Sequence, residues 1–434
     1  MSKKAKHPTH KAFAFVREIG GVWEYLMKSN GLRVLISPDH SSATVTLNVV
    51  YLVGSRNEAV GHTGATHLLE HLMFKGSKKF NKKTGRTIDT LVFGMGGIAN
   101  ATTWFDRTNY FELIPKSRLF ELMELEADRM RNALINEVDR ASEMIVVRNE
   151  FEGYENNPSD PLEKEVWATA FREHPYHHPT IGWKSDVENM SIERLQAFYN
   201  EFYHPNNACL TLVGDVEIKE GLDLVEKYFG HIKPSKNKIP VIYTTEPKQE
   251  GERRVAVRRN GELPILMMGY KVPSATHKDL YALEVLAFVL GSGRTSRLYR
   301  RLVDGGFASA LSVSNQAFRD AGLFMLTVTL NAGIALDNVE SLVNAELVRL
   351  ATEQISDEEL ARVIYQTKVH QASMRDGSYA LTRVLTECIA SGDWTIAMLY
   401  AKNIEKVSKD DVTRVVKEYM KSDALTVGNF IPKK

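Results

Sequence analysis

The chain has 434 residues, too many for one ordinary hydrophobic core, so two domains of about 200 residues, or more smaller ones, are expected. Apolar residues make up 43% and charged residues 25%, which excludes a disordered or fibrous chain. With 55 basic and 54 acidic residues the net charge is +1, so no basic excess points to nucleic acid or to an anionic membrane surface.

In chain order, RVLISPDHSSATVTLNVVYLV at 33–53 holds two β-rich runs around a polar turn. SRNEAVGHTG at 55–64 reads as the turn into a helix at 63–74, and a further helical pattern covers 84–95. GGIANATTWFDRTNYFELI, 96–114, reads as a turn and two strands. Long helices follow at 116–133 and 139–156, then one at 191–202, a strand at 207–216 and a helix at 219–229. Three prolines and many polar residues mark 232–254 as linker.

Beyond the linker the pattern starts again. A strand lies at 264–271, GSGRTSRLYRRL begins a helix in the place of HLLEHLMFKGS, and FRDAGLFMLTVTL parallels FDRTNYFELI. Helices at 336–351 and 355–368 parallel 116–133 and 138–150. The chain therefore reads as an internal duplication of an α+β unit. Its expected domains are 1–235, a linker at 236–255, and 256–434.

Cys209 and Cys388 lie far apart and form no CxxC, as expected of two free thiols in a reducing compartment. The longest apolar run near the N-terminus, AFAFV at 12–16, is too short for a signal-peptide core. No run elsewhere approaches the roughly 18 apolar residues of a membrane span. A cytoplasmic protein is expected, or a periplasmic one if a signal has been removed.

HLLEHLMFKGS, 67–77, carries the chemistry. On a helix, residues i, i+3 and i+4 share a face, so His67, Glu70 and His71 are presented together while Leu68, Leu69 and Leu72 point into a core. Two imidazoles one turn apart can both reach one Zn²⁺ ion, and the carboxylate between them is placed to hold a water. The bland reading is a helix with a polar face. A catalytic zinc also needs a third protein ligand and an open position. Glu143 and Glu150, seven residues apart on one helix face, each qualify, although solvated charge is the simpler reading of either alone. His62, His174, His177 and His178 sit in loop settings without paired spacing and read as surface or structural residues. GSGRTS contains no GxxxxGK[ST], so a nucleotide site is not expected.

HLLEHLMFKGS, then NATTWFDRTNYF, the paired glutamates, HPYHHPTIG and LTLVGDV, in that order, resemble the M16 family of zinc peptidases. These are the inverzincins, which include pitrilysin, insulin-degrading enzyme and the mitochondrial processing peptidase; their HxxEH motif inverts HExxH. The similarity runs from about residue 30 to the C-terminus. It implies an α+β fold of two homologous domains of the M16 metallohydrolase type, forming half of a clamshell. It makes His67, His71 and Glu150 the zinc ligands, Glu70 the general base and Glu143 a carboxylate supporting the site. It also implies that Asn100, Ala101 and Thr102 lie on a sheet edge to which an extended peptide adds as a strand. The bland alternative is an internal strand with an ordinary edge.

The second half departs from the metal chemistry. GRTSRLYRR has no histidine, and in the repeat alignment Glu150 falls opposite Lys368 and Glu143 opposite Ala361. Complete family members also use an Arg–Tyr pair, seven residues apart, in a later domain. RRLVDGGFASALSV at 300–313 holds no R-x₆-Y, with Ser309 at the tyrosine position and Leu302 or Val303 near the arginine position. The chain is about half the length of single-chain members, and half-length members dimerise. The resemblance thus implies the catalytic, β-type subunit of a heterodimer, acting on short or unfolded peptides. A homologous partner without zinc would supply the Arg–Tyr pair; a homodimer is the alternative. A non-catalytic structural subunit and a presequence-processing subunit are the competing functions.

Overall fold

The computed structural model describes residues 7–433. The strands and helices of the first half are β1 (Phe13–Ile19), β2 (Val22–Met27), β3 (Arg33–Pro38), β4 (Thr44–Tyr51), α1 (Ala65–Met73), α2 (Ile88–Leu91), β5 (Ile98–Thr103), β6 (Thr108–Pro115), α3 (Leu119–Asn132) and α4 (Glu137–Asn156). They continue with α5 (Ser159–Ala170), α6 (Lys184–Glu188), α7 (Ile192–Phe202), β7 (Ala208–Gly214) and α8 (Ile218–Phe229). Residues 233–252 then carry no helix or strand. The second half holds β8 (Arg253–Asn260), β9 (Ile265–Val272), α9 (Leu280–Gly291), β10 (Ala308–Gln316), β11 (Gly322–Leu330), α10 (Leu336–Thr352) and α11 (Asp357–Ser373). It closes with α12 (Ser378–Ala390), α13 (Thr395–Ile404), α14 (Lys409–Tyr419) and β12 (Leu425–Lys433).

The chain forms two compact units. One gathers the chain up to Arg148, Thr180–Ile242 and Ser373–Ala390; the other gathers Asn149–Pro179, Tyr243–Ala372 and the chain from Ser391 onward. Each has one sheet. The first runs β1-β2-β3-β7-β4-β6-β5 and the second β10-β11-β9-β12-β8. Reversed, the second reads as β3-β7-β4-β6-β5 without the leading β1–β2 hairpin. The parallel pair β3–β7 has its counterpart in the parallel pair β8–β12, and the remaining neighbours are antiparallel in both. The duplication read from the sequence is therefore visible in the topology.

The central strands explain their own composition. β4 and β7 are buried along almost their whole length, so both faces are covered and the strands read as apolar runs rather than as an alternation. Helix α12 covers one of these faces. Buried Thr46 meets Ser378 at 2.8 Å, and Asn48 Nδ2 donates to Thr386 Oγ1 at 3.2 Å, so the polar side chains of the strands find hydroxyl partners. In the other unit α5 packs on β8, β9 and β12. Gly428 makes this approach possible: a Cβ there would stand 2.3 Å from Val166 Cγ2. Each sheet is thus covered by a helix encoded in the opposite half of the sequence, an exchange that hydrophobic periodicity alone does not reveal.

Two expectations need correction. The 84–95 segment is not one helix: α2 spans only Ile88–Leu91 and is followed by a 3₁₀ turn at Phe93–Met95. Three glycines at 94, 96 and 97 disfavour a continuous helix there. By element order the counterpart of α1 is α9, which follows β9 as α1 follows β4, and not the GSGRTSRLYRRL stretch behind it. Helix α9, LYALEVLAFVLG, also lacks histidine. Among the described residues no helix is long and apolar enough to cross a membrane. Cys209 is buried, and burial pushes its thiol up to about 12.

Candidate metal centre

Helix α1 starts abruptly. Gly64 at its N-cap has φ +86°, a left-handed conformation that suits glycine, and a Cβ there would lie 2.6 Å from Ile181 O. Gly64 has no side chain to cap the helix, so Glu58 does so from the preceding turn. Its carboxylate accepts from the Gly64 amide at 2.8 Å and from the Thr66 amide at 2.7 Å, which satisfies orphan donors at the positive end of the helix dipole. Burial nonetheless pushes the Glu58 carboxyl up to about 8. Leu68, Leu69 and Leu72 are fully buried and anchor the helix in the core.

The opposite face carries His67, Glu70 and His71. The two imidazole rings stand edge to face with centroids 4.8 Å apart. Glu150 reaches the same place from α4, so that one ligand atom from each of His67, His71 and Glu150 lies within 4.8 Å of the others. Two imidazoles and a carboxylate form a donor set suited to Zn²⁺. Burial, and secondarily the neighbouring His71, lower the His67 pKa to about 3. The imidazole therefore stays neutral, the form a metal ligand requires.

Glu143, seven residues and nearly two turns before Glu150 on α4, faces His71. Its Oε2 lies 3.1 Å from His71 Nδ1, and its Oε1 pairs with the Lys75 ammonium. A carboxylate on Nδ1 fixes the ring and leaves Nε2 as the ligand atom. Glu70 is buried, and Thr103 Oγ1 donates to its Oε2 at 2.5 Å.

Thr103 ends β5, which packs against α1 and forms the edge of its sheet. Asn100 and Thr102 are exposed on this strand and Ala101 is buried. The Ala101 amide donates to Asn100 Oδ1 at 2.8 Å. Arg107 Nη1 donates to the Thr102 carbonyl at 2.9 Å and to Asn109 Oδ1 at 2.8 Å, while its Nη2 donates to Glu387 on α12 at 2.5 Å. Asn100, Ala101 and Thr102 thus lie on an edge strand beside α1, with part of their edge engaged by the protein's own side chains.

Sequence reasoning missed Glu58, Lys75, Thr103 and Arg107. The spacing of Lys75, four residues after His71, was a usable signal, because i and i+4 share a helix face. Pairing of Thr103 with Glu70 depends on how β5 lies against α1, which no local pattern encodes. Among the described residues no other histidine joins this group. His174 is buried and bonded to Asp320 and to the Tyr176 amide, and His178 is buried in its loop.

Family models match most of the chain: Insulinase (Peptidase family M16) over residues 33–184 and Peptidase M16 inactive domain over 189–367. The chain is 32% identical to the zinc protease PqqE of Helicobacter pylori over 408 residues, covering 93% of this chain and 91% of that one. It is 25% identical to a probable mitochondrial-processing peptidase subunit beta of Arabidopsis thaliana, covering 93% of this chain and 77% of the relative. Among solved structures, a protease from Helicobacter pylori superposes with a TM-score of 0.91 at 30% identity, covering 96% of this chain and all of that one. An M16-like peptidase from Alicyclobacillus acidocaldarius shares the fold, with a TM-score of 0.80 at 18% identity, covering 98% of this chain and 100% of that one.

Proposed function

The chain belongs to the M16 family of zinc proteases, and from that premise we propose that it is a zinc-dependent endopeptidase whose own residues carry the chemistry. The observation behind this reading is the convergence of His67, His71 and Glu150 within 4.8 Å on a helix face that also bears Glu70.

His67, His71 and Glu150 would hold Zn²⁺, which when bound supplies a Lewis acid and lowers the pKa of water towards neutrality. Glu70 takes the proton of the attacking water and returns it to the leaving amine nitrogen. Thr103 fixes the Glu70 carboxylate by donating to Oε2. Glu143 holds His71 through Nδ1, and Lys75 balances the Glu143 charge. Asn100, Ala101 and Thr102 offer the strand edge on which an extended peptide aligns its backbone. Pairing there requires the Asn100 side chain to release the Ala101 amide.

In this reading the chain is the catalytic subunit of a pair, and a homologous partner without zinc contributes an Arg–Tyr pair to the substrate site. The absence of R-x₆-Y from 300–313 and the likeness to a relative named as a subunit beta support it over a homodimer. Zinc content and hydrolysis of a fluorogenic unfolded peptide by the purified chain, with and without chelator, test the enzyme reading. Adding the non-zinc homologue tests the pairing: activity should rise, and full activity of the chain alone, unmoved by any partner, would contradict the heterodimer.

A further inference from the structure

The turn that precedes α1 is fastened on two sides. On one side the Ser55 and Arg56 amides donate to the Trp104 and Phe105 carbonyls at 3.1 and 3.0 Å, directly after Thr103 at the end of β5. The approach is close: a Cβ on Gly54 would stand 2.2 Å from Trp104 O. The Glu58 amide closes the turn on the Ser55 carbonyl at 3.0 Å.

On the other side stands the buried Glu58 carboxylate. Its oxygens take one amide each, Gly64 at the N-cap of α1 and Thr66, the residue before His67. An ordinary N-cap side chain belongs to the helix it caps and says nothing about where that helix stands. Glu58 reaches in from a separate turn. It therefore bridges the first turn of α1 and the residues after Thr103, whose hydroxyl holds Glu70. Buried Leu68, Leu69 and Leu72 hold α1 in the core, but apolar burial is non-directional. Metal ligands need placement to within about 0.5 Å, and the two hydrogen bonds to Glu58 supply a directional constraint.

Asp186 on α6 offers a comparison. It accepts from the Gly61 and Thr63 amides at 3.0 and 3.2 Å and from the Thr63 hydroxyl at 2.8 Å. It thus pins the loop between the turn and the helix through residues that lie outside α1.

We propose that Glu58 is a positioning residue of the metal centre. It sets the register of α1 against β5, so that His67 stands where a metal is held and Glu70 stays within reach of Thr103. This role rests on the zinc-peptidase reading of the centre.

Two readouts on the folded full-length chain test it: zinc affinity by competition with a chromophoric chelator, and the visible spectrum of the cobalt(II)-loaded chain, which reports ligand geometry. Glu58→Ala should bind zinc about tenfold more weakly, the lower end of the range for removing support from a metal ligand, and should shift the cobalt spectrum. Glu58→Gln keeps the shape and one acceptor, so its affinity should fall between those of Glu58→Ala and the wild type; it carries the test if Glu58→Ala does not fold. Asp186→Asn should lower the unfolding midpoint and leave both metal readouts at wild-type values. Wild-type affinity and spectrum in the folded Glu58 variants, or an equal loss in Asp186→Asn, would overturn the proposal. A wild-type chain without zinc affinity would remove the peptidase reading and this role with it, whereas zinc binding that the Glu58 variants fully share removes this role alone.

Discussion

Helices α1 and α9 occupy the same place in two sheets of matching strand order, yet they are built for different tasks. α9 is buried at eight of its twelve positions, with Leu283, Val285, Leu286 and Leu290 fully enclosed. α1 encloses its leucines just as completely but leaves His67, Glu70 and His71 on its other face. One fold position can therefore be spent on packing or on chemistry. In α1 the polar face is tolerated because each group meets a partner: Thr103 for Glu70, Glu143 for His71, and the second imidazole and Glu150 beside His67.

The contrast can be broken at several levels. The largest effect is expected from the ligands. Glu150→Gln or His71→Ala should lose stoichiometric zinc, measured by metal analysis after dialysis, and with it all peptide hydrolysis. Glu70→Gln should keep the zinc and lose hydrolysis by roughly 10²–10⁴-fold, the range for removing a general acid–base group. Glu143→Gln should weaken zinc binding by roughly 10–100-fold, the usual cost of removing a carboxylate behind a metal-bound histidine; an unchanged affinity in a chelator titration would refute its supporting role. Thr103→Val should lower kcat by about tenfold at unchanged zinc affinity, as loss of one hydrogen bond to a charged group implies.

On the α9 side the same logic reverses. Leu286→Ala should cost about 2–5 kcal/mol of stability in denaturant unfolding and leave zinc affinity unchanged.

The metal-free centre should also leave a pH signature. His67 has a folded pKa of about 3, below its ordinary value of 6.5. Above 6.5 it is neutral in both folded and unfolded chains and adds no pH dependence. As pH falls from 6.5 towards 3 the unfolded chain takes up a proton that the folded chain refuses, so stability drops. His67→Gln should flatten that part of the acid-unfolding profile of the metal-free protein; an identical profile would contradict the burial of a neutral imidazole.

Much of this was legible in the sequence. Strands β3 to β7 and helices α1, α3, α4, α7 and α8 follow from apolar runs and helical periodicity, and the i, i+3, i+4 spacing put three candidate site residues on one face. The glutamate choice was not legible from spacing, since Glu143 and Glu150 share a face; it needed the family pattern, and in the structure Glu143 Oε2 lies 3.1 Å from His71 Nδ1 while Glu150 groups with both histidines. The exchange of α5 and α12 was hidden because it depends on tertiary contacts such as Val166 over Gly428 and Thr386 over Asn48. The β1–β2 hairpin and helices α13 and α14 were also missed.

The most direct test pairs two readouts on one variant. Zinc per chain and hydrolysis of an unfolded fluorogenic peptide are measured side by side for the wild type and Glu70→Gln. The account expects one zinc per chain in both and hydrolysis only in the wild type. Zinc absent from the wild type, or wild-type turnover by Glu70→Gln, would contradict it.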